Sequence, residues 1–410
     1  MRTEPTILHA SGGADFLAML PTLAGCTVRE SILIVPFAGT RTMGVMRIDL
    51  PSRGAPYDRL GSIALGSMSR LEGCDGVILA AYTDATFPVA FAQWERLIAA
   101  LDERFESAGF TVKDAYCVAQ DGWASWYEPS PPFDGHPRSE IDESPMAAHA
   151  AEVRGGAPLT AHTAAGSLPP ADPETAGRLT AMVDGLISGH ELDAFGRWQP
   201  ANIPDAIAFI EELLERDADD TPLPMLARLA LHSMRPDRRD EMVLQIAFGR
   251  AVGERARADS ERRHEVQRTQ HLSMDEIVAA ETAQSDGRPD EQGELFLGES
   301  VREPHVVRVR RAIDILRRTI VHLDPDLRPD LLCMLAWLHW AVGASSAAGH
   351  HVESALRIDP EHTLAAGLLA LIESGKVPEW VYAAHGSQRT QNRAQRRSGR
   401  RATKAAARMG

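Results

Sequence analysis

The sequence predicts a mixed α/β domain followed by an all-helical domain, and three observations carry that division. Two continuous apolar runs of strand length, ILIV at residues 32–35 and VILAAY at 77–82, fall in the first third of the chain. From residue 172 onward, apolar residues recur at helical spacing in nearly every segment. Between these halves lie two stretches rich in proline, glycine and charge, 128–145 and 157–172, which place the boundary near Pro169 and Pro170. The expected layout is a mixed α/β domain over 1–170, a helical domain over 171–385 and a basic tail over 386–410.

The first domain is organised around residues 16–51. Phe16, Leu17 and Leu20 share a helix face before Pro21, with Asp15 as the expected N-cap. The run 32–35 is a strand covered on both faces. Ala38, Gly39 and Thr40 supply a turn, and the return strand alternates through Met43, Val45, Met46, Ile48 and Leu50. A helical pattern over 57–71 and a turn at 74–76 precede the second buried strand, 77–82. Pro88 sits at the start of a helix reaching Ser107, with Phe91, Trp94, Leu97, Ile98, Leu101 and Phe105 on one face. Residues 111–119 read as a strand, 120–122 as a turn and 123–127 as a return strand. The domain is thus β-β-α-β-α-β-β, a parallel core pair with antiparallel edges, and Ser144-Pro145 opens one more short helix.

The second half reads as helices at 175–188, 204–216, 223–234 and 238–255, with a charged extension to 268. Residues 275–298, which contain SDGRPDEQGE, are the expected flexible interruption. Helices resume at Pro304. HLDP at 322–325 and RIDP at 357–360 lie 35 residues apart, each closing an amphipathic helix. Ala336, Ala348 and Ala355 fall where a tetratricopeptide hairpin wants small residues, and Leu335 and Val352 where it wants large ones. The stretch 304–376 resembles one such unit flanked by halves, with 364–374 as the closing helix.

LPTLAGCTVRESILIVPFAG, the following RIDLP, and LAWLHWAVGASSAAGHHVESALRIDP together resemble the actinobacterial domain of unknown function family 4192. Cys26 and Thr27 stand where that family has an aromatic residue and a proline, which marks a divergent member. The resemblance spans most of residues 7–380. It implies a bacterial cytoplasmic protein and supplies no activity, cofactor or catalytic residue.

Composition is that of a globular protein, 44% hydrophobic and 24% charged. No apolar run reaches the ~20 residues that cross a bilayer, so no membrane partner is expected. Scattered Cys26, Cys74, Cys117 and Cys333 read as thiols in a reducing compartment, which with the N-terminal composition points to the cytoplasm. Net charge is −14, yet residues 386–410 hold eight basic residues and no acid, leaving −22 on the remainder. Arg393, Arg396, Arg397, Arg400 and Arg401 would form a basic stripe on a helix, suited to non-specific nucleic acid; a solvated tail is the competing assignment.

Other candidate sites are few. Asp49 and Asp84 close strands, where ligands of open α/β sheets bind, although turn and cap chemistry uses the same residue. Trp123 and Trp126, with Tyr127, offer a ligand-stacking surface or a cover for the sheet edge. Trp337, His339 and Trp340 offer a face to a protein partner or fill the helical core. No metal-ligand spacing, nucleophile elbow or phosphate loop occurs, so no metal is expected and the sequence names no cofactor or catalytic residue. The expected function is a protein-interaction or regulatory adaptor; the alternative is an enzyme or small-molecule binder with a pocket at the strand ends.

Overall fold

The computed structural model describes residues 10–52, 54, 56–156, 159, 168–188, 191–192, 198–199, 205–284 and 289–383. The chain divides into two compact units, 1–165 and 166–410.

The first unit is a seven-stranded mixed sheet with helices. β1 (Ser31–Ala38) is buried along almost its whole length, as its unbroken apolar run requires. It is flanked by antiparallel β4 (Gly76–Tyr82) on one side and, on the other, by β2 (Arg41–Thr42) and β3 (Met46–Asp49). β4 pairs in parallel with β5 (Thr111–Val118), which leads antiparallel through β6 (Gly122–Ser125) to β7 (His136–Pro137). The parallel core pair and antiparallel edges are therefore present. The return strand, read as continuous, is broken in two, and Pro36 of β1 lies between the residues that pair with β3 and those that pair with β2.

Helix α1 (Gly13–Ala24) starts earlier and ends later than its pattern suggests. Asp15 is not the N-cap but a first-turn residue, accepting from the Ser11 amide at 3.1 Å and from Ser144 Oγ at 2.6 Å. The Ser11 hydroxyl, which also donates to it, Ser144 Oγ and the Ser11 amide hold its carboxyl below the usual carboxylate range. The helix also continues through Pro21. Proline has no N–H for the carbonyl four residues back, and that carbonyl, Leu17 O, instead accepts from the buried Tyr82 hydroxyl at 3.2 Å. α2 (Asp58–Ser69) and α3 (Phe87–Ser107) link β3 to β4 and β4 to β5, and α4 (Ser139–Asp142) and α5 (Pro145–Val153) complete the unit. Ser144 caps α5, accepting from Met146 N.

The second unit is helical apart from the two-residue pair β8 (Glu191–Leu192) and β9 (Trp198–Gln199). It comprises α6 (Pro173–Ser188), α7 (Ala206–Leu214), α8 (Leu223–Ser233), α9 (Pro236–Phe248), α10 (Arg250–Gln270), α11 (Met274–Gln284), α12 (Glu291–Phe296), α13 (Val306–His322), α14 (Pro329–Ala341), α15 (Ser345–Ile358) and α16 (Thr363–Glu373). The pattern read as one helix from 238 to 255 is two, because Gly249 at φ +93° turns the chain between α9 and α10.

Within the expected interruption at 275–298 the described residues include α11 and α12, and 285–288 lie outside the described residues. Ser273 and Glu276 form a reciprocal capping box, with Ser273 N donating to Glu276 Oε2 at 2.7 Å and Glu276 N donating to Ser273 Oγ at 3.2 Å. Arg262 and Arg263 of α10 then grip Glu281 at 2.7 and 2.8 Å. The charged face of α10 is thus partly spent holding α11.

α14 is the most enclosed helix: every residue except Asp330 is buried. Ala336 of α14 and Ala348 and Ala355 of α15 are fully buried, as are Leu335 and Val352. Small side chains let these two helices approach closely.

Candidate functional site

The carboxyl ends of β4 and β5 lie at the same end of the sheet as the start of β1 and the end of β3. Ser31 stands in register between Asp49 and Tyr82. Three consecutive residues before and at the start of β1 tie this end together. Arg29 clasps Asp84, Nε to Oδ1 at 3.0 Å and Nη2 to Oδ2 at 2.6 Å, and the carboxylate raises the pKa of the guanidinium. Glu30 Oε1 accepts from Thr83 Oγ1 at 2.8 Å and from Asp84 N at 2.6 Å. Ser31 Oγ donates to Arg29 O at 2.6 Å and accepts from Arg47, whose Nη1 also reaches Asp49 at 2.6 Å. Arg47 is largely buried, at 10% exposure, whereas Asp49 is 65% exposed.

The structure therefore places Asp49 and Asp84 at one sheet end, each engaged by an arginine. Neither is an uncommitted general base; together they form a charge-balanced polar rim. Asp121 accepts from Phe87 N at 2.8 Å, at the start of α3, which is cap chemistry.

Glu30 was not singled out by sequence reading. It holds φ +41°, a left-handed conformation uncommon outside glycine, and its carboxylate contacts sit on the rim. Glu30→Gly is expected to be more stable than Glu30→Ala by about 1 kcal/mol, since both lose the carboxylate but only alanine keeps the strain. Urea unfolding of the two variants measures the difference.

Trp123 and Trp126 do not form one surface. Trp123 is buried against Tyr116 and His136, with ring centroids 6.1 and 5.0 Å away, in the cluster that includes Phe16 of α1. Trp126 stacks on Phe91 of α3 at 5.2 Å and donates its indole N–H to Phe91 O at 3.1 Å.

In the second unit, Trp337 and Trp340 are buried, at 1% and 0% exposure, so neither ring reaches the surface. Their indole N–H groups donate to Phe296 O at 2.8 Å and Lys376 O at 2.9 Å. Trp380 returns the favour, donating to Ala341 O at 2.9 Å, and packs on Phe248 and Trp340 at 5.4 and 6.1 Å. His339 is buried and stacked on His351 at 5.2 Å. The basic residues from Arg393 to Arg401 lie outside the described residues.

Two further arrangements resemble sites. Cys333, His362 and Asp330 line up, Sγ to Nδ1 at 3.8 Å and Nε2 to Oδ1 at 3.3 Å. Yet His362 Nδ1 already accepts from Ala365 N, capping α16, and burial pushes the Cys333 thiol up to about 12. Such a thiol is not ionised at neutral pH, and the trio is a helix-capping staple. A groove of about 690 Å³ is lined by Val307, Arg311, Asp314, Arg318, Asp217 and His322, among others. Arg311 donates to Leu214 O and Arg318 to Thr221 O, each at 2.8 Å, satisfying carbonyls at and after the end of α7. Among the described residues no group of three or more His, Cys, Asp or Glu could hold a metal, and no helix is long and apolar enough to cross a membrane.

A mixed-sheet unit followed by a helical unit in which Trp337, Trp340 and Trp380 are buried defines a two-unit α/β-plus-helical protein. The chain belongs to the family described as a domain of unknown function (DUF4192), whose model matches residues 14–293 and 300–379. No curated protein and no solved structure matches it.

Proposed function

We propose that the protein is a cytoplasmic interaction or regulatory adaptor whose helical unit, with a tetratricopeptide-like hairpin at its centre, holds a protein partner. The observation that supports this reading is the exposure of Val301, Val306 and Val307, at 68%, 43% and 76%, within seven residues. Val307 lines the groove beside Arg311 and Arg318. Exposed apolar side chains grouped next to a groove are typical of interaction surfaces. Trp337, His339 and Trp340 are buried, so their part in this reading is to pack the helical unit and not to touch the partner.

The test is affinity capture with the full chain and with Val306→Glu/Val307→Glu. A specific partner enriched at least tenfold by the parent, and lost in the variant at an unchanged melting temperature, is the expected result. Equal capture by both proteins would refute this surface.

A second reading is a small-molecule binder or enzyme at the sheet end, with Asp49 and Asp84 on its rim. It is favoured by Glu30, because left-handed non-glycine residues cluster at functional sites. A thermal-shift screen with nucleotides, metal ions and common metabolites addresses it: a native-state ligand raises the midpoint, and Arg29→Ala should abolish the rise. The basic tail, 386–410, is the candidate for non-specific, salt-sensitive contact with nucleic acid.

A further inference from the structure

Two histidines meet in the helical unit, between α14 and α15. His339 of α14 and His351 of α15 stack face to face, ring centroids 5.2 Å apart and planes inclined by 27°. Both are buried, at 7% and 1% exposure. His350 lies edge-on to His351 at 6.1 Å. Around them the seam is apolar: Leu335, Ala336, Leu338, Ala348 and Val352 are fully buried.

We propose that this stacked pair makes the α14–α15 hairpin an acid-sensitive latch, which is closed while His339 is neutral and loosens when His339 takes up a proton.

The physical argument begins with what a proton would meet. His339 Nε2 is buried without a hydrogen-bond partner among the described residues, so a new N–H there would be unsatisfied. The charged group acting on His339 is Arg317 of α13, which repels an imidazolium. From α15 it faces His351 and, beyond it, His350, neither of them an anion. Its own helix carries one charged residue, Asp330, at the opposite end. α8, α9 and α16 also pack on α14, and none of them adds a carboxylate to the groups acting on His339. Desolvation and a neighbouring cation therefore act in the same direction.

Burial first, and Arg317 second, bring His339 down from its ordinary 6.5 to about 4. The folded state thus binds this proton less readily than the unfolded state does. Its contribution to stability is complete above pH 6.5, falls through the window from 6.5 to 4, and is fully lost below. At pH 4 the folding equilibrium constant should have dropped by roughly a hundredfold on account of this group. His232 of α8, brought to about 4 by burial and by Arg238, adds a parallel loss elsewhere in the unit, so the test must be local.

The experiment is hydrogen exchange of the full chain at pH values from 7.5 to 4.5, corrected for the intrinsic pH dependence of exchange, with tryptophan fluorescence followed alongside. The expected result is that amides of residues 335–352 lose protection before those of α9 and α10. In His339→Phe that early loss should disappear, while the His232-dependent fall remains. If His339→Phe does not fold at pH 7.5, His339→Gln, neutral at every pH used, carries the same comparison. Uniform loss of protection across the unit, or the same early loss in the folded variant, would overturn the latch.

Discussion

Trp340→Ala should cost the helical unit about 3–5 kcal/mol, among the largest effects any single substitution in this chain can have. Trp340 is fully buried, its ring meets Trp337 and Trp380 at 6.2 and 6.1 Å, and its N–H satisfies Lys376 O. Removing it opens a cavity and orphans a carbonyl that holds the segment after α16. The same logic separates two truncations. Ending the chain at residue 385 removes the basic tail and leaves Trp380 docked, so the melting temperature should hardly move. Ending it at 375 removes Trp380, which is 2% exposed, together with Lys376, and should lower the melting temperature by many degrees. Differential scanning calorimetry of the three proteins checks both statements. Comparable melting temperatures for the 375 and 385 truncations would contradict the assigned role of this segment.

Gly298→Ala is expected to destabilise by more than about 3 kcal/mol, because two independent penalties coincide. Gly298 holds φ +69°, and a Cβ there would lie 2.5 Å from Trp340 Cη2 and 3.1 Å from Pro378 Cα. The ring is pinned by its own hydrogen bond, and its neighbours are packed, so neither atom can retreat. The two substitutions should also couple. In a Trp340→Ala background the nearest clash is gone, and Gly298→Ala should cost only its backbone strain and the tight approach to Pro378, which is less than in the parent. A double-mutant cycle by chemical denaturation reads the difference; strict additivity would show that the contact is relieved by some other movement.

The architecture was legible in the sequence because burial writes itself in simple periods. ILIV and VILAAY became the central strands β1 and β4, and the stripe from Trp94 to Phe105 became the inward face of α3, with Phe91 half-buried against Trp126. Less legible were features in which a side chain overrides a local signal. Pro21 reads as a helix stop, yet the Tyr82 hydroxyl, 61 positions away, takes over the carbonyl that proline leaves free. The charge and glycine of 275–298 suggest a loop, although the Ser273–Glu276 capping box is a helix-start signal that opens α11.

Site residues were harder to place, for a physical reason. An aspartate at a strand end looks the same in one dimension whether it faces open solvent or an arginine. Asp84 finds Arg29 across the sheet end, and Asp49 finds Arg47 on its own strand. Tryptophans at spacing three look like one surface, but Trp123 and Trp126 pack on different elements. Glu30 had no one-dimensional signal, since the partners of its carboxylate, Thr83 and Asp84, lie more than fifty residues away.

The docking of Trp380 also sets an order of events during synthesis. The sheet unit has all its strands once residue 137 has been made, so it can fold while the rest of the chain is still being translated. The helical unit cannot close its aromatic cluster until Trp380 arrives, more than two hundred residues later. At ribosomal speeds of about 5–20 residues per second, that is a delay on the order of ten to fifty seconds. Through that interval Trp337, Trp340 and Phe248 lack their last neighbour, and the nascent helical unit is a client for whatever chaperone meets exposed aromatic surface first.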